Sequence, residues 1–288
     1  MDAPNPSAAV TFANRTPLRI GAVGLKARDL SRLADFYTNA IGLQAIDRDA
    51  KTVRLGAGGV TLLELEAAPS ALPDDPRTAG LFHTAFLQPT RADLARWLVH
   101  AANTRVPLSG ASDHLVSEAI YLDDPEGNGI EVYRDRLPAE WTWSGDRIKM
   151  ATDRLDLDNL AADAGNIAYA GAPGGLRIGH IHLRVGDLEP TQQFYGTIGM
   201  MPTAGRGGAL FMSSGRYHHH IGSNIWQSAG AGICDDARAG LSWFAIEAAD
   251  GKTREEALGR LKGAGIPVGN LAEGSQVRDP FGTRVRFT

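Results

Sequence analysis

The chain has 288 residues, of which 43% are hydrophobic and 22% charged, with a formal net charge of −4. That length and balance suit a globular protein of about two ordinary domains with sizeable cores. Lys and Arg are dispersed, which argues against nucleic acid or an anionic membrane as the main partner, and no apolar run approaches the ~20 residues of a membrane span. The one cysteine, Cys234, excludes an intramolecular disulfide and a cysteine-based zinc cage, so the cytoplasm is the expected location.

In chain order, residues 1–17 read as a loose N-terminal arm with neither the charged region nor the apolar region of a signal peptide. A first module follows over 18–66, then a connector rich in Pro, Asp and Ala. The second module spans 80–136, with the strand HTAFLQP, a helix from Arg91 opened by Thr90 and Asp93, and three short strands ending in GIEVY. Residues 137–176 read as a partly ordered connecting strap. The third module, 177–224, starts with the alternating strand IGHIHLRV and a helix closed by Gly199. The fourth, 240–288, repeats the plan of the second. Each module therefore reads as βαβββ, which gives an α+β protein.

The modules are related in pairs. Ile20–Tyr37 aligns without a gap on Ile178–Tyr195, GLFHTAF on GLSWFAI, and DPEGNGIEVY on DPFGTRVRF. At three aligned places the copies differ: Ala22 against His180, His83 against Trp243, and Glu131 against Arg286. Two histidines and one glutamate survive, the donor set of a facial triad that leaves coordination positions open on a divalent metal. Taken alone, a strand histidine such as His83 reads as a hydrogen-bonded core residue. Glu131, inside an apolar strand, is harder to place without a partner, because burying a bare carboxylate is costly. His180 and His182 leave one face of their strand. In the run Tyr217–Ile221, His218 and His220 share one face and His219 takes the other, and the repeat sets His219 opposite Glu131.

These motifs, with GASDHLVSEAIYLDDPEGNGIEVY and GRYHHHIGSNIW, resemble the vicinal oxygen chelate superfamily, and within it the catechol-2,3-dioxygenase-like branch. The resemblance covers Leu18 to Thr288. It implies two domains, each a cupped, mostly antiparallel sheet with helices outside, and a divalent metal in the cup between two paired modules. Pairing in chain order would offer Ala22, His83 and Glu131 in one cup, and His180 with Trp243 and Arg286 in the other. Neither set is complete. Crossed pairing, modules two with three and one with four, would gather His83, Glu131 and His180, and is favoured.

The resemblance further implies a metal-dependent extradiol ring-cleaving dioxygenase. Its expected metal is Fe(II), with Mn or Zn also compatible, and its expected substrate is a small aromatic compound with vicinal oxygens. His219 and His114 are candidate proton-transfer residues and Tyr133 a further catalytic candidate, while Asn224 and Trp226 would shape the pocket. A homodimer is in keeping with the architecture. Two alternatives stand beside it: a glyoxalase-like Zn or Ni isomerase or lyase, for which Glu64 is the candidate second carboxylate, and a non-catalytic small-molecule binding protein with a degenerate metal site.

Overall fold

The computed structural model describes residues 11–288. Module one comprises β1 (Leu18–Ala27), α1 (Leu30–Phe36), β2 (Gln44–Arg48), β3 (Thr52–Ala57) and β4 (Val60–Ala67). Module two comprises β5 (Gly80–Leu87), α2 (Arg91–Asn103), β6 (Gly110–Asp113), β7 (Ser117–Asp123) and β8 (Gly129–Asp135). The strap carries β9 (Trp143–Ser144), β10 (Arg147–Ile148), β11 (Asp153–Arg154) and α3 (Leu157–Ala162). Module three holds β12 (Arg177–Arg184), α4 (Leu188–Thr197), β13 (Met201–Arg206), β14 (Ala209–Ser213) and β15 (Ile221–Asn224). Module four holds β16 (Gly240–Ala248), α5 (Gly251–Gly263), β17 (Gly269–Asn270), β18 (Ser275–Arg278) and β19 (Arg284–Phe287).

Each module turns from first strand into helix at a side-chain cap. Asp29, Thr90, Asp187 and Asp250 each accept a backbone N–H of the first helical turn. Such a cap satisfies a donor the helix leaves free and is worth about 1 kcal/mol. The helix then packs back on its own sheet.

Two large sheets result. One runs β17-β18-β19-β16-β1-β4-β3-β2, joining modules four and one. The other runs β11-β6-β7-β8-β5-β12-β15-β14-β13, joining modules two and three with one strand of the strap. The seams are antiparallel, β1 on β16 and β5 on β12. Within a module the first and last strands lie side by side and parallel, as in β5 with β8 and β12 with β15.

Period-two alternation divides the second sheet into two faces. Phe86, Ile120, Val132, Ile181 and Leu183 enter a large core shared with the helices and the other sheet. Ala85, Ala119 and Tyr133, on the opposite face, join a smaller cluster with Trp141, Ile148 and Tyr217. His83, Glu131, His180 and His182 belong to that second face by register.

Part of the expected arm is ordered. Residues 1–10 lie outside the described residues, but Phe12–Arg15 form a 3-10 helix with Ala13 buried. Phe12 sets its ring edge on Trp141 at 5.7 Å between centroids. The reason is apolar: Trp141 and Tyr217 would otherwise face water at this end of the sheet. The histidine run also differs from expectation, since it precedes the last strand of module three, which begins at Ile221. Parallel pairing sets His83 beside Gly129 and Ala85 beside Glu131, and it sets Ile181 beside Ile221 and His182 beside Gly222. Matched from His83 and His180, the equivalent of Glu131 is therefore Gly222, not His219. Glycine is needed there, because a Cβ would press on the His182 ring.

Candidate metal centre

His83 on β5, Glu131 on β8 and His180 on β12 converge at the seam of modules two and three. His83 Nε2 lies 3.0 Å from Glu131 Oε2, His180 Nε2 lies 3.2 Å from the same oxygen, and the two Nε2 atoms are 3.3 Å apart. All three residues are buried. Among the described residues these three form the one cluster of His, Cys, Asp or Glu placed to hold a metal ion. Donor atoms at about 2.1 Å from one ion are about 3.0 Å apart at right angles and about 3.4 Å apart at the tetrahedral angle. The observed triangle falls between those limits, so the donor set fits a divalent ion bound on one face. Burial pushes the Glu131 carboxyl up, but His180 and His83 outweigh it and hold the group well below the usual carboxylate range. Burial brings His180 down to about 4, leaving the neutral imidazole that metal ligation requires.

Packing fixes the ligands. His180 Nδ1 is buried with no hydrogen-bond partner among the described residues. Its ring is held between Tyr133 at 4.9 Å and His219 at 4.1 Å, centroid to centroid. The Tyr133 hydroxyl lies 2.8 Å from that of Tyr217. Tyr133 thus backs the ligand from behind and is not in the cavity wall. Gly179 makes room for it, since a Cβ there would overlap the Tyr133 hydroxyl.

The triad lies at the wall of a cavity of about 1000 Å³. Phe82, Phe211, His182 and Trp226 supply aromatic lining, and strap residues 147–152 form another wall. Asn224 Nδ2 donates to His182 Nε2 at 3.0 Å, fixing that ring. Burial and the neighbouring histidines hold His182 well below its usual pKa. His114 lines the cavity too, with Nδ1 at 2.6 Å from the Ala151 carbonyl and Nε2 at 2.7 Å from the Tyr121 hydroxyl.

His219 also lines the cavity, backed by polar groups. The Tyr217 hydroxyl donates to Asp135 Oδ1 at 3.0 Å, and His218 Nε2 donates to the same oxygen at 2.8 Å. His218 Nδ1 can then accept from His219 Nδ1–H at 2.8 Å, which leaves the other ring nitrogen of His219 as a lone pair. Burial holds His219 well below its usual pKa, so it is neutral. His220 points elsewhere, with Nε2 at 3.1 Å from the Thr16 hydroxyl.

Three contributors escaped the sequence reading. Tyr121 lies directly opposite Glu131 in the β7–β8 ladder, and its hydroxyl lies 2.7 Å from His114 Nε2. Strand pairing across the Asp-Pro turn was the available signal. Asp135, behind His218, and the strap wall carried no local signal.

The other sheet holds no such centre among the described residues. The Arg286 guanidinium stands 3.8 Å over the Trp243 ring, and the indole N–H of Trp243 donates to Glu66 at 2.9 Å. Small residues at Ala22 and Gly24 leave that space, and a Cβ at Gly24 would overlap the indole. Glu64 lies in this sheet, paired with Arg54 at 2.7 Å, and is not in the cavity lining.

A metal-binding seam between paired βαβββ modules defines a class. The chain belongs to the glyoxalase/bleomycin resistance protein/dioxygenase superfamily, whose description matches residues 19–132, and within it lies close to the catechol-2,3-dioxygenase branch. It is 37% identical over 270 residues to a catechol-2,3-dioxygenase of Bacillus subtilis (strain 168), covering 91% of this chain and 93% of that protein. Solved structures share the fold at low identity. A putative dioxygenase from Bacillus subtilis superposes with a TM-score of 0.62 at 15% identity, over 94% of this chain and 84% of that one. Glyoxalase I from Zea mays gives 0.57 at 16% identity, over 96% and 94%. No described helix is long and apolar enough to cross a membrane.

Proposed function

We propose that the protein is a metal-dependent extradiol dioxygenase that opens the ring of a small aromatic diol, with Fe(II) held by His83, Glu131 and His180. The observation that carries this reading is the close triangle of ligand atoms in the wall of an aromatic-lined cavity large enough for a substituted ring. When bound, the ion supplies Lewis acidity and redox chemistry, and three protein ligands leave positions open on it.

The chain's own residues have separable tasks. Phe82, Phe211 and Trp226 sandwich the ring and exclude water from one side, and the strap does so from the other. His219, neutral and with a free ring nitrogen, takes a phenolic proton as general base. His218 and Asp135 hold it in the required tautomer, since Asp135 can only accept. Tyr121, hydrogen-bonded to His114, packs beside Glu131 across the ladder. Tyr133 positions His180 through packing and acts on the reaction through that ligand.

The cavity lining includes one carboxylate, Glu131. An isomerase or lyase that needs a second carboxylate beside the metal would lack it here, which favours the dioxygenase. The test is oxygen uptake by the Fe(II)-loaded chain with catechol, together with the mass of the product. Stoichiometric uptake and a product heavier by two oxygen atoms are expected. A metal-loaded protein that consumes no oxygen with any dihydroxybenzene would sink the proposal.

A further inference from the structure

The cavity mouth is positively charged. Arg147 and Lys149 come from the strap, and Arg206 ends β13, the strand against which β10 packs. All three line the cavity, all are exposed, and none has an ion-pair partner among the described residues. The nearby Asp146 does not compensate them, since it faces Arg216 at 3.7 Å. Elsewhere the chain pairs its cations where they crowd: Arg91, Arg134 and Arg136 all converge on Glu118. The single acid in the lining, Glu131, is taken up by His83 and His180 in the buried wall. Three free cations around a recess with low-dielectric walls raise the local concentration of anions and orient them on entry.

We propose that the natural substrate is an aromatic diol bearing an anionic ring substituent, a carboxylate, which Arg147, Lys149 and Arg206 bind at the mouth while the diol end reaches the triad. This inference rests on the ring-cleaving reading for the position of the diol. The cations fix which end of the ring enters first. Two of the three are supplied by the strap, which belongs to none of the four repeated modules, so selectivity is carried by the one segment the repeats do not constrain.

The test uses the full chain loaded with Fe(II) and two probes, 3,4-dihydroxybenzoate and the uncharged 4-methylcatechol. Binding is followed without oxygen by quenching of tryptophan fluorescence, and turnover is followed by oxygen uptake. An exposed charge pair contributes only a few-fold, so three together give about tenfold preference for the acid at low salt, shrinking as salt is added. The triple variant Arg147→Gln, Lys149→Gln, Arg206→Gln brings the ratio of the two dissociation constants to about one. Arg206→Gln alone, outside the strap, gives an intermediate ratio and guards against a collapsed strap as the cause. An unchanged ratio in the triple variant, or a wild-type preference for the uncharged diol, overturns the inference. If the acid is preferred in binding but neither probe is consumed, anion recognition stands and the ring-cleaving reading falls. If neither probe binds, both fall.

Discussion

Tyr195 on α4 donates its hydroxyl to Asp279 in the last turn of module four at 3.2 Å, and Tyr37 does the same to Asp124 in module two at 3.0 Å. Each bond joins residues whose modules lie in different sheets, so a repeated pair ties the sheets together at both ends. Burial pushes the Asp279 carboxyl from 3.8 up to about 6, against the hydrogen bonds it accepts from Phe281, Thr283 and Tyr195.

A raised carboxyl pKa makes the folded state hold its proton longer than the unfolded chain does. The contribution of Asp279 to stability is therefore greatest below about pH 4, declines as pH rises toward 6 and is flat above, a change of about 3 kcal/mol. His180 and His220 are buried neutral and work in the opposite sense, losing stability as pH falls below 6.5. Denaturant titrations of wild type and Asp279→Asn at several pH values should differ along the Asp279 limb. Parallel curves between pH 4 and 6 would contradict the assignment.

Metal content is the second expectation. Elemental analysis of untagged protein should find about one divalent ion per chain, lost in His83→Ala, His180→Ala and Glu131→Ala alike. Chelation should lower the melting temperature of the wild type, because a ligand that binds only the folded state stabilises it by mass action. Retention of the ion in His180→Ala would break the link between modules two and three at this centre.

For proton transfer, His219→Gln should lower kcat by about 10²–10⁴ while the ion stays bound, the usual contribution of a general base. Asp135→Asn should cost less and shift the pH profile, since it frees the His218 tautomer without removing the base. Equal turnover in wild type and His219→Gln would remove His219 from the mechanism.

The other sheet offers a control. Gly24→Ala should destabilise the fold by about 1–3 kcal/mol through overlap with the Trp243 indole, leaving metal content at the triad in the other sheet unchanged. Pairing it with Trp243→Ala should recover part of the loss if the indole is the cause. A neutral Gly24→Ala in thermal melts would show that this packing yields easily.

The sequence by itself pointed to the modules, to the three metal ligands through the favoured crossed pairing, and to the strand face that His180 takes. Those rest on local regularities: a repeat that aligns without a gap, caps at strand ends, and a two-residue alternation that sets His180 and His182 on one face of their strand. Which modules pair was legible only indirectly, from how the ligands segregate among the copies. The strand contact itself was left to the tertiary structure, because β5 and β12 pair across about a hundred residues. The same limit hid Tyr121, which reaches Glu131 only through a ladder, and the Asp135–His218–His219 chain, whose bonds depend on side chains leaving irregular backbone. It also hid the strap's place over the cavity. A segment without periodicity carries no internal record of what it covers, and only the packing of its apolar residues against the finished sheet brings its cations to the mouth.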